Sequence, residues 1–133
     1  MEDEIKELSK YRLEKAKLDL EASQINFDNK LYSQSINRSY YAIFHAVRSL
    51  LAFDRFDSQK HTGIISYFNL HYIKEGKIDK KFSKILMSAE KIRINTDYMD
   101  FYVVSKDEAK TQIDNAEVFI NEIESYIKKI LTK

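Results

Sequence analysis

The chain has 133 residues, 44% of them hydrophobic, with 22 basic against 21 acidic side chains and a net charge of +1. That length suits one domain, residues 1–133, with a sizeable core, and the near-neutral balance excludes capture of a long nucleic acid by the overall field, so any such contact must be local. Cysteine and proline are absent and glycine occurs only at Gly63 and Gly76, which rules out a disulfide framework or thiolate metal site and argues against a β-sandwich or a glycine-rich phosphate loop.

The expected class is all-α, an antiparallel bundle of four main helices plus one short helix. The opening MEDEIKELSKYRLEKAK has no apolar signal-peptide core, and no stretch approaches the roughly 20 apolar residues of a membrane span, so no membrane association and a cytoplasmic location are expected. A first helix runs from about Glu2 to Phe27, with Leu13, Ala16, Leu20, Ser23 and Phe27 on its inward stripe. The second, from about Lys30 to Phe53, buries Ile36, Tyr40, Ile43, Val47 and Leu50 and reads as the central helix. After the polar DRFDSQK, a short helix carries Ile64, Ile65, Phe68 and Tyr72 and ends near Gly76 in a left-handed cap. Asp79 caps a fourth helix bearing Phe82, Ile85, Leu86, Ala89 and Ile92. NTDYMDFYVV, residues 95–104, loses helical periodicity and reads as an ordered connector. Ser105 and Glu108 then have the spacing of a capping box opening a last helix, with Ala109, Ile113, Ala116, Ile120, Ile123, Ile127 and Ile130 facing inward.

Within the second helix, RSYYAIFHAVRSLL places Arg38 and His45 seven positions apart, about 20° around the axis and roughly 10 Å along it. They share a stripe with Ala42, Ser49 and Ala52, whose small side chains let another surface approach closely. Taken alone, the pair reads most simply as a salt-bridged arginine and a core imidazole.

NRSYYAIFHAVRSLL resembles the central helix of the HEPN-domain family, whose motif is an arginine followed after four to six residues by a histidine; here the intervening six are SYYAIF. QKHTGIISYF (59–68) and KIRINTDYMDF (91–101) are similar to stretches of an uncharacterised prokaryotic branch of that family, so the likeness runs from about Tyr32 to Lys128. The resemblance implies a helical domain that forms a homodimer, with the arginine and histidine of two protomers lining one cleft. It also implies, as in many members, a metal-independent ribonuclease acting as a toxin, often beside a nucleotidyltransferase antitoxin. Arg38 and His45 match the catalytic pair, and Ser39 holds the position where the family often has a polar residue. Toxins silenced by nucleotidylation carry a tyrosine two places after the histidine; here that position is Val47.

The chemistry needs few parts. RNA supplies its own 2′-hydroxyl nucleophile, so no metal or other cofactor is expected. An imidazole with an ordinary pKa of about 6.5 can move the protons, and a guanidinium can favour the more charged phosphate of the transition state. A cation nearby lowers the imidazole's pKa and helps His45 act as a base. Dependence on the 2′-hydroxyl implies an RNA substrate rather than DNA. Arg48, one turn beyond His45, is a further candidate phosphate contact, although it reads more simply as a solvated surface charge. Tyr41 is a candidate cleft wall for substrate and Tyr40 reads as core. Arg93, Asp97 and Tyr98 suggest an ion pair and hydrogen bond holding the connector. His61 and His71 lack metal-ligand spacing and read as capping or surface residues.

Two functions from different classes therefore compete. One is a metal-independent endoribonuclease, a toxin built on Arg38 and His45 with Ser39, Tyr41 and Arg48 touching substrate. The other is a non-catalytic helical module that binds a nucleotidyltransferase partner or a nucleotide.

Overall fold

The computed structural model describes residues 2–133. Five α-helices follow in chain order: α1 Asp3–Asp28, α2 Tyr32–Leu51, α3 His61–Phe68, α4 Lys80–Tyr98 and α5 Lys106–Leu131. A short 3-10 turn, Ala52–Asp54, extends α2, and a wider π-type turn, Asn69–Ile73, extends α3. Among the described residues there is no strand, and no helix is long and apolar enough to cross a membrane.

The helix ends follow local chemistry. Asp79 accepts the Lys81 N–H at 2.9 Å, and Ser105 and Glu108 form the reciprocal capping box, with the Glu108 N–H on the Ser105 hydroxyl at 3.0 Å. Gly76 sits at φ 73°, a conformation that costs glycine least. α4 outlasts its expected end: the fourth helix keeps residues 95–98 that read as connector. There the Thr96 hydroxyl bonds back to the Ile92 carbonyl at 2.7 Å, and Asp97 pairs with Arg93 one turn earlier at 3.3 Å. The turn-prone side chains are satisfied within the helix, so they do not break it. The chain then turns through Phe101, fully exposed at φ 61°.

α2 is the axis of the molecule. Thirteen of its twenty residues are buried, and it packs against α1, α3, α4 and α5. Tyr40, Ile43, Val47, Leu50 and Leu51 join Phe68, Leu86, Phe119 and Ile123 in the main core.

The face between α1 and α2 is different. The expected apolar stripe of α1 is rotated: Ser9, Arg12, Ala16, Asp19 and Ser23 are its buried residues, while Leu13, Leu20 and Phe27 are only partly covered. The hydroxyl of Ser23 donates to the Ser35 carbonyl at 2.8 Å, and that of Ser35 donates back to the Ser23 carbonyl at 2.9 Å. This contact sets an antiparallel register in which Ala16 falls opposite Ala42, and Ser9 opposite Ser49. All six side chains are small and all six residues are buried. The leucines are excluded from this seam because α2 offers them no depth, and they settle beside it.

An Ala42→Leu substitution overpacks the seam and is expected to lower stability by roughly 1–3 kcal/mol, read as a shifted midpoint in urea unfolding.

Candidate functional site

Between the small layers of the seam, α1 contributes Asp19. Its Oδ1 pairs with Arg38 Nη1 at 3.1 Å, and its Oδ2 stands 3.7 Å from His45 Nε2. The carboxylate therefore lies between the two residues of the stripe and explains why they share it. Arg38 also donates from Nε and Nη2 to the amide oxygen of Asn37, at 3.1 and 2.8 Å. Its guanidinium lies 5.0 Å over the Tyr41 ring, and that ring neighbours the His45 imidazole at a centroid distance of 5.9 Å. The Arg38 side chain is 38% exposed, against 12% for Asp19 and 11% for His45. Arg38 reaches water; the imidazole forms part of a wall.

Two hollows border this cluster. Tyr41, Phe44, His45, Arg48, Asp57 and His61 line one of about 480 Å³. Asn26, Gln34, Asn37, Arg38 and Asp97 line another of about 350 Å³. Arg48 lies in the first hollow, ion-paired to Asp57 at 2.9 Å, and Arg12 of α1 reaches the same carboxylate at 3.3 Å while donating to the Arg48 carbonyl. Two guanidiniums to one carboxylate leave that wall net positive.

The remaining residues singled out in the sequence separate clearly. Ser39 is buried and donates its hydroxyl to the Ile36 carbonyl at 3.0 Å, so it presents nothing to either hollow. Tyr40 is fully buried; Tyr41 lines the crevice. Arg93 pairs with Asp97 and covers the Tyr40 ring at 4.7 Å, whereas Tyr98 is exposed and apart from them. Val47 is sealed in the core, so a tyrosine there would face inward.

Two neighbours, Asp19 and Asp57, escaped the sequence reading, and a third, His61, read there as a capping or surface residue, lines the crevice. For Asp19 a signal existed, since Ser9, Ala16 and Ser23 recur every seven residues, as do Ser35, Ala42 and Ser49, with Asp19 between two of the layers. For Asp57 and His61 there was none, because only the tertiary path of residues 55–61 brings them to α2.

The electrostatics favour a neutral imidazole. Burial, then the positive charges of Lys15, Arg48, Arg38 and Arg12, hold His45 down at about 4. Burial raises Asp19, with Arg38 and Lys15 pulling it back. His45 Nε2, 3.7 Å from the carboxylate, is the imidazole nitrogen not sealed off, and Nδ1 points inward. That Nδ1 is buried without a hydrogen-bond partner, as is Asp19 Oδ2. Orphaned buried polar atoms cost about 1–3 kcal/mol each. A neutral imidazole backed by a carboxylate, next to a half-exposed guanidinium, has the parts needed to take up a proton beside an anion.

A model of the HEPN domain matches residues 9–126. Two proteins of Methanocaldococcus jannaschii are similar. One, named "Putative toxin MJ0605", is 34% identical over 96% of this chain and 95% of its own length; "Putative toxin MJ0142" is 29% identical over 86% and 78%. A "UPF0332 protein" of Thermotoga maritima is 27% identical over 96% of this chain and 97% of its own.

The depressed His45 makes a stability test. The unfolded chain binds that proton near pH 6.5 and the folded chain only near 4, so the unfolded state gains protons first as pH falls. The wild type is expected to lose about 2 kcal/mol between pH 7 and 4.5 through this residue. Paired urea titrations check it: His45→Gln should show a loss smaller by that amount.

Proposed function

Because the chain belongs to the HEPN-domain family, we propose that it is a toxin-like, metal-independent endoribonuclease whose catalytic pair is Arg38 and His45. The observation that carries this reading is the Asp19 carboxylate, which reaches both side chains of the motif from a different helix. The toxin names of the Methanocaldococcus relatives favour the same direction.

In the proposed reaction the His45 imidazole takes the 2′-hydroxyl proton at Nε2, the nitrogen that is not sealed off, as the 2′-oxygen attacks phosphorus, forming the P–O2′ bond. The P–O5′ bond breaks, leaving a 2′,3′-cyclic phosphate and a 5′-hydroxyl, whose proton comes from an imidazolium of the second protomer. Asp19 orients His45 and favours the imidazolium formed after proton uptake. Arg38 turns its exposed edge to the phosphate oxygens, where charge grows in the transition state. A bound phosphodiester adds negative charge beside His45 and moves its proton affinity back toward neutrality.

The dimer brings the second imidazole. α1 carries Tyr11, Leu18 and Ile25 exposed on one face, about 100° around the axis from Asp19. A second copy docked on that stripe would close the cluster from outside. A nucleotidyltransferase antitoxin is the proposed partner that silences it in the cell.

The burial of His45 favours a second reading, in which the same surface is a non-catalytic module binding a nucleotidyltransferase or a nucleotide. The two part on one experiment. Purified protein in excess EDTA should cleave single-stranded RNA and leave the matching DNA intact, and Arg38→Ala or His45→Ala should each slow cleavage about 10²- to 10⁴-fold. Intact RNA with the wild type, alongside tight capture of a nucleotidyltransferase, would favour the binding module. Sedimentation checks the interface: the wild type should run as a dimer and Leu18→Glu as a monomer.

A further inference from the structure

We propose that His61 is a phosphate-contacting residue of the same crevice, a neutral imidazole whose Nε2–H is set by Tyr40 to donate to a non-bridging oxygen of the bound RNA backbone. The proposal rests on that crevice being where RNA is held.

His61 Nδ1 lies 2.9 Å from the Tyr40 hydroxyl. Its ring stacks on Phe44 at 4.2 Å and stands edge-on to Tyr41 at 5.8 Å, so two aromatic residues of α2 fix its plane. Among the described residues no hydrogen bond engages Nε2, and that atom is not among the buried unpaired ones, in contrast with His45 Nδ1. The imidazole therefore keeps one nitrogen occupied in the core and one free at a wall that also carries Arg48 and His45.

The direction of the Tyr40–His61 bond follows from the groups around it. Burial raises the Tyr40 hydroxyl's pKa, so it keeps its proton at neutral pH. The Arg93 guanidinium lies over the Tyr40 ring at 4.7 Å, and a hydroxyl beside a cation turns its proton away. The remaining acceptor is His61 Nδ1. Burial, Arg93 and Arg48 together lower the pKa of His61 and keep the ring neutral. A neutral histidine that accepts at Nδ1 carries its proton on Nε2. The outward atom is then a fixed donor, the polarity that a phosphodiester oxygen requires, and a neutral imidazole can serve as such an electrophile.

This divides the labour in the crevice. His45 takes a proton, Arg38 and Arg48 supply charge, and His61 adds a donor that does not change its protonation. Tyr40 and Arg93 act through His61 and are positioning residues.

The test reads imidazole nitrogens and cleavage together. Long-range ¹H–¹⁵N spectra of the full-length protein should show His61 in the Nε2–H tautomer. A single-stranded 2′-deoxy oligonucleotide, which cannot be cleaved, should shift its Nε2 signal. Tyr40→Phe should mix the tautomers and slow RNA cleavage about tenfold with the helical circular dichroism unchanged. His61→Ala should slow it about 10²-fold, and His61→Gln, which restores an amide donor near the Nε2 position, should recover most of the rate. Movement of the His61 signal with RNA left intact by the wild type would sink the ribonuclease reading and leave this contact standing. RNA cleaved by His61→Ala at the wild-type rate, or a His61 signal indifferent to the oligonucleotide, would overturn the contact itself.

Discussion

The close approach of α1 to α2 is the constraint on which the rest depends. Ser23 and Ser35 exchange hydrogen bonds to each other's carbonyls, and from that point the antiparallel register brings small residue against small residue along the helix pair. Helices this near cannot seat leucine between them, so the seam gives up much of the apolar burial that would otherwise hold α1. In the spaces between the small layers lie Arg12 and Asp19, both buried. Buried ions are weak sources of stability, because desolvation offsets most of their mutual attraction, and apolar replacements of similar volume are often as stable. Folding alone therefore gives little reason for an aspartate at position 19. Its contact with both Arg38 and His45 gives a better one.

The same seam sets the charge around the imidazole. Arg12, Lys15, Arg38 and Arg48 all bear on His45, against one close carboxylate whose charge is already paired with Arg38. In a chain whose total charge is +1, this is a concentration of positive potential at one place. It reconciles a neutral overall field with local recognition of an anion: the chain draws no polyanion from a distance, yet a phosphate that reaches the crevice meets several cations and few competing acids. The negative end of the balance is close at hand in Asp57, which holds Arg48 and Arg12 in place as it tempers them.

How much of this was legible depended on where each signal was written. α2 was legible because its apolar residues recur at helical spacing and almost every face meets another element. The caps at Asp79 and Ser105 were legible because capping is local chemistry between residues two or three apart. The end of α4 was misread because Asn95, Thr96 and Asp97 favour turns in isolation; the bonds of Thr96 and Asp97 to the preceding turn settle the segment as helix. The face of α1 was misread for a different reason: Leu13 and Leu20 are the loudest apolar signals, whereas the buried stripe consists of serine, alanine and two ions. Arg38 and His45 were visible as a pair, but their connection through Asp19 was not, since it spans two helices. His61 reaches the crevice only through the fold of the segment after α2, and its partner Tyr40 looked like plain core.

Tyr40 shows how core and site are joined. Its ring is fully buried and belongs to the main hydrophobic cluster, while its hydroxyl reaches His61 at the crevice wall. Arg93 lies over that ring and is tied by Asp97 within α4, so the position of α4 is communicated to the crevice through one side chain. Asp19 does the same for α1. The crevice is thus lined by α2 and by residues 57–61 beyond it, and adjusted by two helices that pack on α2. A substitution distant from the hollow that shifts α1 or α4 by a fraction of an ångström would leave the core filled and still separate a carboxylate from an imidazole, or a hydroxyl from its acceptor. Packing and chemistry in this molecule therefore share the same side chains, and the tolerance of the site is set by the rigidity of the seam rather than by the crevice lining.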